Sequence, residues 1–132
     1  MRLDPGTPSD WMRFARSDLA VARSVHDADV LMETLCFHAQ QAVEKSLKAV
    51  LLARSVAFPH THNLRILMDL VSNVESLPPD VVASVGLVGY AVEVRYPGIY
   101  EDITEDEYRE AVRLATVVLV WAETACTLRG RL

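Results

Sequence analysis

The stretch CFHAQQAVEKSLKA, residues 36–49, lies inside a segment from about Leu31 to Arg54 that contains no proline or glycine. Small and apolar residues recur in this segment at Leu35, Ala39, Ala42, Val43, Ser46, Ala49 and Val50. Because these intervals are mostly three and four residues, the spacing predicts one long amphipathic helix that packs along one face. We expect the other helices of the chain to pack around it.

Polar side chains follow the opposite face of this predicted helix. This polar stripe consists of His38, Gln41, Lys45 and Lys48. Residues three and four apart are neighbours on a helix surface, so the stripe is continuous. It has two interpretations that spacing alone does not separate. One is a solvated face on which Glu44 and Lys48 form an i,i+4 ion pair, and the other is an anion- or nucleotide-binding surface, since His and Lys donate to phosphate oxygens.

The composition favours an all-α fold. The 132 residues form one domain of ordinary size, half of them are apolar, and only five glycines and six prolines interrupt the sequence. Strand-like alternation is confined to short pieces such as residues 92–94. We therefore expect an up-and-down bundle of four to five helices over residues 9–132, after a disordered lead-in over residues 1–8.

A first helix is predicted from about Asp10 to His26, with a capping side chain within residues 8–10. Its inward face is expected to carry Trp11, Phe14, Ala15, Asp18, Ala22 and Val25. A carboxylate in this row is unusual, so Asp18 either lies at the edge of the core or pairs with a basic residue. The short break at residues 27–29 predicts an antiparallel hairpin with the long helix.

Three further helices are predicted at about residues 63–73, 80–94 and 104–128. Thr104 followed three residues later by Glu107 predicts a capping box at the start of the last one. Its inward face is expected to carry Tyr108, Ala111, Leu114, Ala115, Val118, Trp121, Ala122 and Ala125.

The net charge, the cysteines and the hydropathy of the chain indicate the cellular compartment in which the protein works. The net charge of −5 repels nucleic-acid phosphate on average, so we expect no non-specific DNA binding. Cys36 and Cys126 are far apart in sequence and each falls in a predicted helix, which favours two buried thiols in a reducing compartment. No segment has the apolar length of a membrane span or of a signal peptide, so we expect a soluble, cytoplasmic protein with no membrane contact.

The motifs of several catalytic classes are missing from the sequence. His60 and His62 stand two residues apart in a predicted loop, and no ExxH or HExxH accompanies them, so no metal site is expected. The sequence contains no GxSxG, P-loop or dinucleotide glycine pattern. We therefore predict no cofactor.

The loop before the last helix carries Arg95-Tyr96-Pro97. An arginine beside an aromatic ring can bind a phosphate and stack a base at one place. Alternatively, Arg95 caps the carbonyls at the end of the fourth helix, or Tyr96 and Tyr100 only anchor a tight turn. Loops held by a rigid scaffold often carry functional groups.

Four parts of the chain together resemble the HEPN domain family. They are Trp11 with Asp18-Leu19 and Ala22, residues 37–49 (FHAQQAVEKSLKA), residues 61–64 (THNL) and residues 95–97 (RYP). The resemblance covers roughly residues 10–126. It implies a bundle of four to five helices, usually a homodimer, in the prokaryotic cytoplasm.

The resemblance also implies a function. Many HEPN proteins are RNase toxins paired with a small nucleotidyltransferase antitoxin, and their motif is Arg, four to six residues, then His. In this mechanism His moves the proton of the ribose 2′-OH and Arg stabilises charge on the phosphate. Arg95 matches the arginine by its position, whereas residue 100 is Tyr100 and no histidine follows His62. Arg54 and His60 have the motif spacing in a different loop, and we interpret that match as accidental.

The expected function is therefore binding of nucleotide or RNA, by the polar stripe with Arg95 and Tyr96, in partnership with a nucleotidyltransferase antitoxin. One alternative is a divergent, metal-independent ribonuclease in which Arg95 works with His38 or His62. Another is a helical scaffold that only dimerises. The resemblance makes Tyr100 or Tyr96 a possible adenylylation acceptor. The first two functions require Arg95 to lie beside the His38–Lys45 side of the long helix.

Overall fold

The long second helix is the centre of the fold. The computed structural model describes residues 6–24, 28–91 and 102–130, and within them the chain forms five helices and no strand. They are α1 (Pro8–Arg23), α2 (Met32–Ala53), α3 (Leu64–Ser72), α4 (Pro79–Ala91) and α5 (Glu105–Gly130). Among these helices α2 packs against all four others. The predicted all-α bundle around α2 is confirmed.

The α2 seam is buried as the sequence predicts. Every position of the predicted seam is shielded from solvent: Leu35, Ala39, Ala42, Val43, Ser46, Ala49 and Val50. Cys36, Leu47 and Leu51 are buried as well, so the C-terminal half of α2 is enclosed on more than one face. The Ser46 hydroxyl donates to the Ala42 carbonyl oxygen at 2.7 Å, which satisfies a polar group that burial would otherwise penalise.

The start of α1 differs from the prediction. The N-cap is Thr7, whose hydroxyl accepts from the Asp10 backbone N–H at 3.1 Å. The Asp10 carboxylate accepts from the Thr7 N–H at 3.1 Å, which completes a capping box with Pro8 in the first turn. The helix therefore begins two residues earlier than predicted and includes Pro8, because this earlier cap satisfies two free backbone donors at once. The predicted end at His26 lies outside the described residues.

The inward face of α1 was predicted correctly at Ala15 and Ala22 and incorrectly at Phe14. The buried residues are Met12, Ala15, Leu19 and Ala22, whereas Phe14 is 50% exposed. The aliphatic side chains of Met12 and Leu19 pack into the core, and the Phe14 ring lies outside it near Arg13 and Lys45. The helical period is therefore as predicted, but the seam is rotated by about one residue.

Capping side chains mark the starts of α3 and α5, and the capping box predicted for α5 is confirmed. The Asn63 side chain accepts from the backbone N–H groups of Arg65 and Ile66 at 2.9 and 3.2 Å. At α5, Thr104 and Glu107 exchange the two hydrogen bonds of a capping box at 2.9 and 3.1 Å. The predicted buried face of α5 is confirmed at Ala111, Leu114, Ala115, Val118, Ala122 and Ala125, with Tyr108 and Trp121 half-buried.

Contacts between α1, α2 and α5 show the directions in which these helices run. Asp18 of α1 contacts His38 of α2, and Trp11 lies near Lys48, so α1 and α2 form the predicted antiparallel hairpin. The Tyr108 hydroxyl donates to the Ala22 carbonyl oxygen at 2.5 Å, which joins the start of α5 to the end of α1. Helix α5 is therefore antiparallel to α1 and runs alongside α2 in the same direction.

The two cysteines differ in exposure. Cys36 is buried and Cys126 is only half-buried, and neither forms a disulfide within the described chain. The expectation of two buried thiols is therefore confirmed for Cys36 alone. Within the described residues, no helix combines the length and the apolar character needed to cross a membrane.

Candidate functional site

Asp18 joins two residues of the polar stripe. Its Oδ1 lies 3.0 Å from Nδ1 of His38, and its Oδ2 accepts from Nζ of Lys45 at 2.5 Å. Only 14% of the Asp18 side chain is exposed, against 33% for His38 and 22% for Lys45. Both alternatives for Asp18 are therefore true at once, because it lies at the edge of the core and pairs with basic residues. We call these three residues the Asp18 cluster.

The cluster fixes the orientation of the imidazole ring. An ionised carboxylate only accepts hydrogen bonds, so Nδ1 of His38 carries the proton in its contact with Asp18. The other ring nitrogen, Nε2, is then the acceptor of a neutral ring or the second donor of a charged one. A carboxylate that holds an imidazole in one tautomer is the arrangement used to position a proton-transfer group.

Lys45 also borders a cleft at the surface. Its ammonium lies 5.8 Å from the Phe14 ring centroid, and the Arg13 guanidinium lies 5.0 Å from the same ring. The cleft has a volume of about 590 Å³ and is lined by Gly6, Asp10, Trp11, Arg13, Phe14 and Lys45. Two cations therefore flank one half-exposed aromatic ring beside the Asp18 cluster.

Lys48 does not belong to the accessible part of the stripe. It is 1% exposed, and its ammonium lies 3.4 Å from the Glu44 carboxylate, which is also buried. Trp11 and Phe58 cover this ammonium at 5.1 and 6.0 Å. The expected ion pair therefore forms, but its solvated setting was predicted incorrectly, because α1 and the segment after α2 enclose this turn. Lys48 is held away from any ligand at the surface.

Glu44 brings His62 to α2. Nδ1 of His62 lies 3.2 and 3.0 Å from the two carboxylate oxygens of Glu44, although 72% of the His62 side chain is exposed. A second cleft, of about 370 Å³, opens here and is lined by Phe37, Gln40, Gln41, Glu44 and His62. His62 and Gln41 of the stripe therefore line the same cleft, and the buried Glu44 carboxylate holds His62 there.

Arg95, Tyr96 and Tyr100 lie outside the described residues, and so does the expected juxtaposition of Arg95 with the His38–Lys45 side of α2. The described chain resumes at residue 102, close to α2. The backbone N–H of Ile103 donates to the Glu33 carboxylate at 3.1 Å, in the first turn of α2.

Arg54, which together with His60 has the spacing of the ribonuclease motif, has a role in the fold. Its guanidinium lies 2.7 Å from the Glu75 carboxylate and donates to the Ala125 carbonyl oxygen at 3.2 Å. Only 11% of the side chain is exposed. Arg54 therefore joins the end of α2 to the segment after α3 and to α5, and His60 lies instead beside His62.

Of the polar stripe predicted from the sequence, the structure leaves His38, Gln41 and Lys45 partly accessible and buries Lys48. The signal for the Asp18 cluster was the single carboxylate in the apolar row of α1. Nothing in the sequence indicated that Phe14 and Phe37 remain exposed, at 50% and 44%. Within the described residues, no three His, Cys, Asp or Glu side chains are arranged to hold a metal ion.

Comparison with known proteins agrees with the helical architecture. ST0689, an archaeal HEPN homologue, is 23% identical with a TM-score of 0.69, and the alignment covers 92% of this chain and 99% of that one. TT1696 from Thermus thermophilus is 26% identical with a TM-score of 0.69, over 89% of this chain and 97% of that one. No protein of curated function matches the chain significantly.

The family model gives the assignment. The model of the HEPN domain matches residues 8–125, which is well over half of the chain and includes both the Asp18 cluster and the segment with Arg95. The two structural neighbours share the same fold over nearly their whole lengths. This chain therefore belongs to the HEPN domain family.

Proposed function

We propose that this HEPN-domain protein binds a nucleotide or RNA at the accessible part of the polar stripe, His38, Gln41 and Lys45. The observation that carries the proposal is the Asp18 cluster, in which one carboxylate holds an imidazole and an ammonium side by side on a half-exposed face. Such side chains donate charge-assisted hydrogen bonds to phosphate oxygens. Lys48, which is buried, takes no part in this surface.

The cluster suits a ligand that must be held in one geometry. An ammonium has three donors, so Lys45 keeps donors for a ligand after pairing with Asp18. The shared carboxylate reduces the rotational freedom of both basic side chains before a ligand arrives, which lowers the entropic cost of binding. Since the whole chain has a net charge of −5, binding depends on these local donors rather than on a general positive surface.

Arg95 and Tyr96 complete the proposed site. A guanidinium binds phosphate through two parallel donors, and an aromatic ring stacks on a base, so this pair complements the donors of α2. The proposed partner is a nucleotidyltransferase, in a toxin–antitoxin-type pair, with Tyr100 or Tyr96 as its adenylylation acceptor.

A ribonuclease is the second candidate, and the orientation of His38 favours it. The proton on Nδ1 of His38 leaves Nε2 as the base for a ribose 2′-OH, while Arg95 stabilises the charge on phosphate. No metal ion is required for this chemistry. The third candidate, a scaffold that only dimerises, gives no role to the oriented imidazole.

The test compares Lys45→Ala with the wild type in binding to a short single-stranded RNA over a range of salt concentrations. Loss of one phosphate contact is expected to weaken binding and to reduce the slope of log affinity against log salt by about 0.7 to 1. The matched control is Arg109→Ala, because Arg109 is an exposed cation on α5 whose described ion pair is with Glu105.

An unchanged salt slope in Lys45→Ala, or an equal loss in Arg109→Ala, would remove this surface from the proposal. The same samples, free of any partner protein, are examined for RNA fragments. Cleavage that is present in the wild type and lost in His38→Asn and in Arg95→Ala would select the ribonuclease. Intact RNA with preserved binding would select the binding protein.

A further inference from the structure

The second cleft, which borders the polar stripe at Gln41, has the size and lining of a small-ligand site. Its volume of about 370 Å³ lies at the lower end of the range for small-molecule pockets, about 300–1,000 Å³. We call it the base pocket, lined by Phe37, Gln40, Gln41, Glu44 and His62. Gln41 belongs both to this pocket and to the proposed phosphate-binding surface, so one ligand can reach both.

A buried acceptor forms part of the pocket wall. The Glu44 side chain is 3% exposed, and its negative charge is balanced by Lys48, which lies behind it in the core. Only two groups approach the carboxylate in the described structure, Nδ1 of His62 and Nζ of Lys48. Because Nδ1 of His62 bridges the two oxygens of Glu44, a ligand that pairs with both of them takes the place of this ring, which is 72% exposed.

The other lining residues supply amides and a ring. Within the described part of the chain, neither the Gln40 nor the Gln41 side chain makes a hydrogen bond, so each amide offers both a donor and an acceptor to a ligand. Phe37 is 44% exposed, although a ring of this size is usually buried. Single-stranded nucleic-acid bases stack on such exposed rings.

We propose that the base pocket takes the guanine base of a nucleotide or of single-stranded RNA. Guanine presents two adjacent donors, N1–H and the 2-amino group, to the acceptors of Glu44, while O6 accepts from a glutamine amide and Phe37 stacks on the ring. Adenine presents an acceptor, N1, where guanine has N1–H, and that acceptor faces the carboxylate unfavourably. This inference rests on the proposed nucleotide-binding function and adds a base preference to it.

The experiment measures the affinities of GMP, IMP and AMP for the full chain by calorimetry at one ionic strength. IMP lacks the 2-amino group, so the expected order is GMP, then IMP, then AMP. A contact of this kind discriminates between bases by about tenfold or more. Glu44→Gln presents one donor and one acceptor in place of two acceptors, so it is expected to remove the preference for GMP over AMP.

Phe37→Ala provides a second test that does not depend on the buried ion pair. Loss of the stacking surface is expected to weaken GMP and AMP alike by about tenfold. Ile66→Ala is the matched control, because Ile66 is a large apolar side chain on α3 with a similar exposure of 42%. Circular dichroism of each variant checks that the helical fold is retained.

The outcomes separate the two proposals. Equal binding of GMP and AMP by the wild type, with the dependence on Lys45 intact, would overturn the guanine pocket and leave the phosphate-binding function standing. A preference that persists in Glu44→Gln would also overturn it. Failure of all three nucleotides and of RNA to bind would overturn both.

Discussion

Asp18 positions two basic side chains of the neighbouring helix, His38 and Lys45. His38 and Lys45 are separated by seven positions on α2, and an unpartnered helix face would leave both side chains mobile in solvent. The carboxylate from α1 holds each of them by one oxygen, at 3.0 and 2.5 Å. A surface of two separate basic residues thereby becomes one ordered set of donors.

The buried pair of Glu44 and Lys48 gives a prediction at the same scale. Lys48→Met removes the ammonium and leaves the buried Glu44 carboxylate with His62 as its described partner. We expect unfolding in urea to show a loss of about 3 kcal/mol, because an uncompensated buried charge is costly. The double variant Lys48→Met with Glu44→Leu is the control and should recover most of that loss, since an apolar pair of similar volume replaces the ions.

A single variant as stable as the wild type would contradict this account of the pair. So would a double variant that is less stable than the single one. Arg113→Ala serves as a surface comparison, because its ion pairs with Glu110 and Asp80 involve side chains that are 41% to 52% exposed. That change is expected to cost far less than Lys48→Met, because solvent screens an exposed ion pair.

Between α1 and α5, one hydroxyl adds a hydrogen bond to the packing of the two helices. Tyr108 in the second turn of α5 donates to the Ala22 carbonyl oxygen near the end of α1. Burial raises the pKa of the Tyr108 hydroxyl above its ordinary value of 10.0, and the nearby Cys36 contributes in the same direction. The folded protein therefore favours the neutral, hydrogen-bonding form of this side chain.

Tyr108→Phe is expected to lower stability by about 1 kcal/mol at pH 8, because a buried carbonyl oxygen loses its donor. Since the folded pKa is raised, the contribution of the wild-type tyrosine is complete below the pKa of the unfolded chain. It is lost as the pH rises through the raised pKa of the folded state. Urea unfolding of both proteins from pH 8 to about pH 11 measures the difference, which should shrink at the alkaline end. A difference that is constant with pH would contradict the prediction.

At the scale of the whole molecule, homodimerisation is the prediction that the HEPN resemblance implies. Several large apolar side chains outside the two clefts are exposed on the single chain, including Leu31 at 60%, Val120 at 56% and Val82 at 52%. A stable interface covers about 800 Å² on each partner, which is roughly a tenth of the 7709 Å² exposed by this chain.

Light scattering at micromolar concentration is therefore expected to give twice the 14.7 kDa mass of one chain. The same mass should persist at high salt, because burial of apolar surface is not screened by ions. A mass of one chain under both conditions would contradict the prediction. Association that disappears at high salt would indicate a different, electrostatic contact.

Local signals in the sequence specify the helical architecture. The intervals along α2 specify its buried seam, and the side chains of Asn63 and of Thr104 with Glu107 specify where two helices begin, because period and capping are local properties. The motif residues also identified the family before any fold was known. At α1 the local signals placed the cap within residues 8–10, whereas the cap is Thr7, and they missed the buried Met12 and Leu19.

Tertiary structure alone decided the accessibility and pairing of the polar residues. Lys45 and Lys48 are equivalent on the helical pattern, yet one lies at the surface and the other is enclosed by Trp11 and Phe58. Asp18 and His38 are 20 residues apart, and only the packing of α1 on α2 brings them together. Exposure and ion pairing depend on what covers a helix face, and that cover comes from distant parts of the chain.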